Sequence, residues 1–442
     1  AHILPGFDLK PPPSMPVTID EKLHSMENGL IQLIFRPDGR FDMTDLETGR
    51  IWRELACLED VEDAGDSYDH SPGGNPVPVG AGKGPSLNER PEHLDIRILH
   101  ESSENEKIIN LTFENTDEWA ATMRIQIEWK LPRRFEDDTQ TRSKDSDWLM
   151  IDHYVTLRSG SNTVEVETTL DNTCEDHRLR LIFPTEAVSE EVHAGGAFDV
   201  IERPWHFPYQ SDWNQPEVPT QHFSQMVLVQ DENGGGLSLL APGSNEYEAR
   251  PSSTGEGLEL CMTILRCVGW LSRDGFGWRR NRAGPCFPAP GAQCIGHAWF
   301  RWGLQPFEEN WSQRTGENLA VHEIAENISA HISILPGLPK PQLDGTFDRR
   351  ESEGNCGTSL QPVRLICDGV KPIVSSFKPA EDGNGCILRL YNPTNTEWSG
   401  ILKSDLPFNK ITSCNLLEQD LSKCKDGAIH VSARGVASFR LS

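Results

Sequence analysis

"AATMRIQIEWKL" (residues 120–131) and "DWLMIDHYVTLRSG" (residues 147–160) set an apolar side chain at nearly every second position. Successive side chains of a strand point to opposite faces, so this period of two predicts long strands with one face in a core and one in water. "KIINLTFEN" (107–115), "NTVEVETTLDNT" (162–173) and "LDIRILHES" (94–102) read the same way, each bounded by Asn, Asp, Gly or Ser. "FSQMVLVQD" (223–231), "GLSLLAPG" (236–243), "LELCMTILRCVGW" (258–270) and "QCIGHAWFRWGLQP" (293–306) continue the series. Strands in uninterrupted succession point to antiparallel sheets.

Outward from these runs, "GLIQLIFRPDGRFDMTD" (29–45) reads as a hairpin, with strands Leu30–Phe35 and Phe41–Thr44 about a Pro37-Asp38-Gly39 turn. The Pro-rich residues 1–19 are expected to be extended, and 74–92 to form a long loop. One helix is expected within "ENWSQRTGENLAVHEIAENISAH" (309–331), where Leu319, Val321, Ile324, Ala325 and Ile328 fall near helical spacing. "ILPGLPKPQLDG" (334–345) reads as a linker, and strand-like runs resume beyond it. The expected fold is therefore mainly β: a large antiparallel two-sheet super-sandwich of the galactose mutarotase-like kind over 20–305, a helix and linker over 306–340, and a smaller β-sandwich over 341–442.

The net charge of −26 removes nucleic acid and anionic membrane surfaces as expected partners, because both need clustered Lys and Arg. No apolar run approaches the ~20 residues that span a bilayer. Eleven cysteines without a Cys-x-x-Cys pair argue against a zinc ribbon and read mostly as buried small hydrophobes. The N-terminus lacks the features of a signal peptide and an initiator Met. We expect a cytoplasmic rather than a secreted protein, and a chain cut from something longer.

Three stretches carry candidate chemistry. In "EDAGDSYDHSP" (62–72), Asp63, Asp66 and Asp69 recur every third residue around Tyr68. Carboxylates and a phenol suit sugar hydroxyls, but an Asx-rich turn capping its own amides would use the same residues. Between 197 and 225, Trp205, Phe207, Tyr209 and Trp213 could stack on sugar rings or plug a loop. "MTILRCVGWLSRDGFGWRRNRAGPCFPAPGAQ" (262–293) concentrates Arg266, Arg273, Arg279, Arg280 and Arg282 beside Trp270 and Trp278. Guanidinium groups kept there need partners, so the stretch is either a binding surface or a structural clamp. His93-Leu94-Asp95 has the spacing of a metal-ligand pair on one strand face, without an evident second pair.

The last of these stretches resembles a signature in the C-terminal half of glycoside hydrolase family 38 α-mannosidases, of the bacterial type that includes mannosylglycerate hydrolases. The match runs through Arg266, Gly269, Trp270, Leu271, Arg273, Ala283, Gly284, Pro285 and Gln293, with Cys267 where Ser is usual. "EDAGDSYDHSP" resembles the family loop that reads Gly-Asp-x-Tyr-x-Tyr-Ser-Pro, with His70 replacing the second tyrosine, and "RPDGRFDMTDLETGRIW" (36–52) resembles the hairpin before it. The resemblance implies a retaining α-mannosidase built from an N-terminal α/β catalytic domain, a helical bundle and this β-region. Zinc and the nucleophilic aspartate belong to the catalytic domain, for which this sequence has no counterpart, so neither catalytic nor metal residues are expected here. Asp66, Tyr68 and Asp69 would help hold a mannose-containing carbohydrate, and Arg203 is a further candidate through a looser alignment. The β-region alone is expected to be inert, with the other two domains as its partners. Alternatives are a stand-alone carbohydrate-binding module, or a sugar mutarotase or epimerase using His193 or His206 with Glu202 as its acid/base pair.

Overall fold

A computed structural model describes residues 15–71, 107–114, 116–206, 218–253, 256–274, 282–312, 320–329, 364–366, 370–404 and 408–442. Several expectations fall outside these residues: the Pro-rich start as far as residue 14, the loop at 74–92, the strand at 94–102, His93 and Asp95, and the linker at 334–345. Phe207, Tyr209, Trp213, Trp278, Arg279 and Arg280 lie outside them too.

The chain is mainly β and divides into two compact units. The first runs to Ala194 and from Glu202 to Asn310. It opens with a five-stranded antiparallel meander, Thr18–Asp20, Ser25–Glu27, Ile31–Phe35, Phe41–Asp45 and Ile51–Leu55, each strand beside the next. The hairpin expected from sequence is its centre: Phe35 pairs with Phe41, and Gly39 takes the left-handed φ of +84° that closes the turn.

Two further sheets form the sandwich. The larger has nine strands in the order Val200–Pro204, Glu191–Gly195, Gln225–Gln230, Gly236–Ala241, Gly296–Phe307, Val164–Asn172, Ser146–Arg158, Ala120–Pro132 and Lys107–Glu114. Alternation does its work here. Ala121, Met123, Ile125, Ile127, Trp129 and Leu131 are all buried, as are Leu149, Ile151, His153, Val155 and Leu157 on the neighbouring strand. The smaller sheet orders Thr220–His222, Glu246–Pro251, Leu258–Arg266, His177–Pro184 and Cys57–Glu62. One continuous apolar cluster fills the core, with Trp302, Phe183, Leu181 and Leu260 at its centre.

A polar chain crosses that core. Trp302 Nε1 donates to Thr168 Oγ1 at 2.8 Å, and the Thr168 hydroxyl is 2.8 Å from His153 Nδ1. The hydroxyl can accept from both rings, or accept from the indole and donate to the imidazole, so this contact suits a neutral imidazole in either tautomer. Burial holds His153 in that form, lowering its pKa to about 4.

The second unit comprises Gly195–Ile201 and the chain from Trp311 onward. Its three-stranded sheet orders Arg364–Ile366, Trp398–Lys403 and Ala428–Val431. A five-stranded sheet orders Ile373–Pro379, Cys386–Tyr391, Val436–Leu441, Ile411–Cys414 and Asp420–Lys423. Leu388, Leu390, Leu402, Val431, Phe439 and Leu441 fill the core of this unit.

The helix is shorter than the periodicity suggests, covering Val321–Ser329. Glu323 accounts for its start: Oε2 accepts the Ala320 backbone N–H at 3.1 Å, the reach-back that closes a first turn. Asn310 and Trp311 precede it in non-helical conformation. None of the nine cysteines among the described residues is joined in a disulfide, and four of them (Cys174, Cys261, Cys267 and Cys414) are buried. Among the described residues no helix is long and apolar enough to cross a membrane.

Candidate functional site: a braced tyrosine loop

The residues from Asp63 to Ser71 leave the edge strand of the smaller sheet and fold into a tight loop. Its carboxylates point inward. Asp63, 1% exposed, takes the backbone N–H groups of Gly65 (2.9 Å) and Ser71 (3.1 Å) on Oδ1 and Arg266 Nε (2.8 Å) on Oδ2. Burial raises its pKa even against the pull of Arg266.

Asp66 is fully buried. Oδ1 accepts the N–H groups of Tyr68 (3.0 Å) and Asp69 (3.2 Å), and Oδ2 accepts that of Arg273 (2.9 Å). Its own carbonyl receives Arg266 Nη2 at 2.6 Å. Asp69 is buried as well, and its carbonyl accepts the Asp66 N–H at 3.2 Å. Gly65 is fixed by space: a Cβ there would lie 2.0 Å from the Asp69 carbonyl oxygen.

The Arg/Trp stretch braces this loop. Ser67 donates through N (3.0 Å) and Oγ (3.2 Å) to the carbonyl of Trp270. Arg273 turns its guanidinium to Asp137 at 2.9 Å. The buried hydroxyl of Ser272 accepts the N–H groups of Ala283 (2.9 Å) and Gly284 (3.1 Å). That places Gly284 under the Tyr68 ring, where a Cβ would come 2.9 Å from the phenol oxygen. Farther along, Gln293 holds Asp176 through both amide atoms, to the backbone N–H at 2.9 Å and to Oδ1 at 2.7 Å. Cys267 is a buried thiol within reach of Asn172 Nδ2, and burial pushes its pKa up.

The loop therefore presents one large side chain outward. Tyr68 is 54% exposed above a floor of buried carboxylates and a glycine. Asp66, Tyr68 and Asp69 are brought together. Arg203 is not part of that set: its Nη1 donates to the His222 carbonyl at 2.5 Å, and its charge lies beside Tyr247. His70 lies under the loop with Nε2 on the Glu62 carbonyl at 3.2 Å. Burial, then Arg178, Arg266 and Arg180, hold its pKa well below the ordinary value. His193 Nε2 and Glu202 Oε1 approach to 3.9 Å, beyond hydrogen-bond distance. His206 stacks edge-on to Trp205.

Sequence reasoning missed Ser272 altogether, and a lone serine beside Arg273 carries no signal of its own. Among the described residues no three His, Cys, Asp or Glu side chains converge as a divalent ion requires.

Comparison with known proteins decides the family. Residues 26–270 match the profile of the glycosyl hydrolases family 38 C-terminal domain, over more than half of the chain. The chain belongs to glycosyl hydrolase family 38. Residues 371–439 match that family's C-terminal beta sandwich domain. A candidate mannosylglycerate hydrolase of Halalkalibacterium halodurans is 23% identical over 415 residues, covering 94% of this chain and 41% of that protein. The crystal structure of an alpha-mannosidase from Enterococcus faecalis V583 superposes with a TM-score of 0.71 at 21% identity, covering 96% of this chain and 43% of that one. A second family 38 structure from Enterococcus faecalis gives a TM-score of 0.68 at 21% identity, covering 96% and 44%. The chain thus spans less than half the length of each of these relatives. Within family 38 terms, the first unit carries the longer match and the braced loop lies inside it, while Ser272 and Gly284 fall just past its end.

Asp66 is the keystone of the brace. Asp66→Ala would strand three backbone donors, that of Asp69 buried and those of Tyr68 and Arg273 partly so, and an unmet buried donor costs about 1–3 kcal/mol before relaxation. We expect a loss of about 3 kcal/mol in urea unfolding, with Asp66→Asn retaining roughly half because one acceptor oxygen survives. Equal stability of Asp66→Ala and the parent chain would remove the keystone role.

Proposed function

We propose that this chain is the β-sandwich region of a retaining α-mannosidase and supplies a wall of its sugar site, with Tyr68 as the contact. One observation carries the reading: a half-exposed tyrosine held in a hydrogen-bonded loop by the fully buried Asp66. Sites that must discriminate sugars keep their contact groups on supports whose ordering is complete before the ligand arrives. In this reading Asp66 and Asp69 act through Tyr68 as positioning residues. Arg203 contacts sugar only if its strand faces the same ligand.

The hydrolytic groups belong to the rest of an enzyme of the relatives' length. There a divalent metal, zinc by family resemblance, and a carboxylate pair would cleave terminal α-mannosides. The chain alone is proposed to be inert. A cytoplasmic setting is part of the same proposal.

The test is kinetic and uses an enzyme of full relative length carrying this chain. Tyr68→Ala should raise KM for an aryl α-mannoside about tenfold, the cost of one lost contact of about 1.4 kcal/mol. Tyr68→Phe should give an intermediate value. Unchanged kinetics in both variants, or zinc-dependent turnover by the purified chain alone, would refute the proposal.

A further inference from the structure

The outward face of the nine-stranded sheet carries a row of side chains that the Tyr68 reading does not use. Strand register sets it out: Trp299 is opposite Thr169, Thr169 opposite Asp152, Asp152 opposite Gln126, and Gln126 opposite Asn110. These residues sit on five adjacent strands, so the row is four strand spacings, about 19 Å, long. In the next row Tyr154 stands between Glu167 and Arg124.

Each element of the row has a property that suits a carbohydrate chain. Trp299 is 47% exposed at mid-strand, and Arg301 lies 5.5 Å from its ring centroid, fixing the indole on one side. Asp152 is clamped by Arg124 Nε at 2.9 Å, and Glu167 by Arg301 Nη2 at 3.0 Å. Both carboxylates are thus ordered and their charge is balanced. Thr169, Gln126 and Asn110 make no side-chain hydrogen bond among the described residues, which leaves a hydroxyl and two amides free to donate and accept. Tyr154 adds a second ring beside Asp152, with Arg124 5.6 Å from its centroid.

A charged polymer would meet neutralised pairs here, and an apolar partner would bury unsatisfied amides. A neutral oligosaccharide meets a stacking ring at one end and ordered hydrogen-bonding groups along its length. We infer that this face binds an extended neutral oligosaccharide along the Trp299-to-Asn110 row. The inference stands apart from the Tyr68 reading, because the two use different loops and strands.

Calorimetry and saturation-transfer NMR on this chain test it, with α-1,6-mannotetraose, cellotetraose and free mannose as probes. At least one tetrasaccharide should bind with millimolar or tighter affinity, and free mannose about tenfold more weakly. Trp299→Ala and Gln126→Ala should each weaken the tetrasaccharide about tenfold, whereas Tyr68→Ala should leave it unchanged. Both replaced residues lie on the solvent side, so folding is retained and is checked by circular dichroism. No saturable binding of either tetrasaccharide at about 10 mM overturns the inference. Binding lost in Tyr68→Ala but kept in Trp299→Ala also overturns it, in favour of the loop. Dimerisation abolished by Trp299→Ala, without sugar binding, overturns it in favour of self-association. Unchanged tetrasaccharide binding beside an inconsequential Tyr68→Ala in the intact enzyme would sink only the earlier reading.

Discussion

Replacing Arg180 with methionine is expected to lower the unfolding free energy of the first unit by about 3–5 kcal/mol, the usual cost of removing one partner from a buried ionic group. Arg180 is fully buried in the strand His177–Pro184. Its Nε donates to Glu59 at 2.6 Å, and its guanidinium also pairs with Glu248. Arg250 extends the network, meeting Glu59 at 3.0 Å and the fully buried Glu259 at 2.7 Å. Methionine fills much of the volume but leaves Glu59 and Glu248 facing each other with one cation fewer. Glu248→Gln removes an acid instead and should cost less, because the amide still accepts from Arg180. Unfolding followed by the fluorescence of Trp52 and Trp302, both in the first unit, reports on the right cooperative block. A loss of under about 1 kcal/mol for Arg180→Met would mean that water or rotation solvates the carboxylates, and that the network is not sealed.

That network also explains what the sequence did and did not disclose. Alternation in 120–131 and 147–160 announces strands because one face is wet and the other apolar. "HRLRLIFP" (177–184) lies between Leu258–Arg266 and the edge strand of the smaller sheet, with every residue buried. The strand reading nevertheless passed over it, because Arg178 and Arg180 look like solvent-facing positions. Arg180 can be buried because Glu59 and Glu248, distant in sequence, pair with it, while Arg178 has Glu246 at 3.8 Å. The same holds at the site. The spacing of Asp63, Asp66 and Asp69 with Tyr68 marks either a sugar-facing loop or an Asx-rich turn. It does not reveal that Asp66 turns its carboxylate onto Tyr68, Asp69 and Arg273 amides, since one of those donors is 207 residues away. The Arg/Trp stretch was legible only as a binding surface or a clamp, and its particular contacts, Arg266 on Asp63 and Ser272 on the Ala283 and Gly284 amides, required coordinates.

Acid should destabilise the first unit in two separable stages. The upper stage belongs to His153. Its folded pKa of about 4 lies below the ordinary 6.5, so the unfolded chain takes the proton first. Stability present at neutral pH is then lost as pH falls from 6.5 through 4, by about 3 kcal/mol. The lower stage belongs to two acids. Burial alone would raise Glu59, but Arg180 and Arg250 bring it to about 2. Burial likewise opposes ionisation of Asp60, yet Arg142, paired with it, and His177, 2.6 Å away, bring it to about 2. Both are depressed, so their contribution is complete above pH 4.5 and disappears as pH falls toward 2, together on the order of 5 kcal/mol. Asp63 runs the other way, since its raised pKa lets the folded loop accept a proton more readily than the unfolded chain. Urea unfolding at pH 7, 5.5, 4 and 3 resolves the stages. His153→Gln keeps a hydrogen-bonding group beside Thr168 without a titrating ring, so it should flatten the upper stage and leave the lower one. A parent profile already flat between pH 6.5 and 4.5 would show that His153 reaches water in the native state and that the core around Trp302 opens where it is drawn closed.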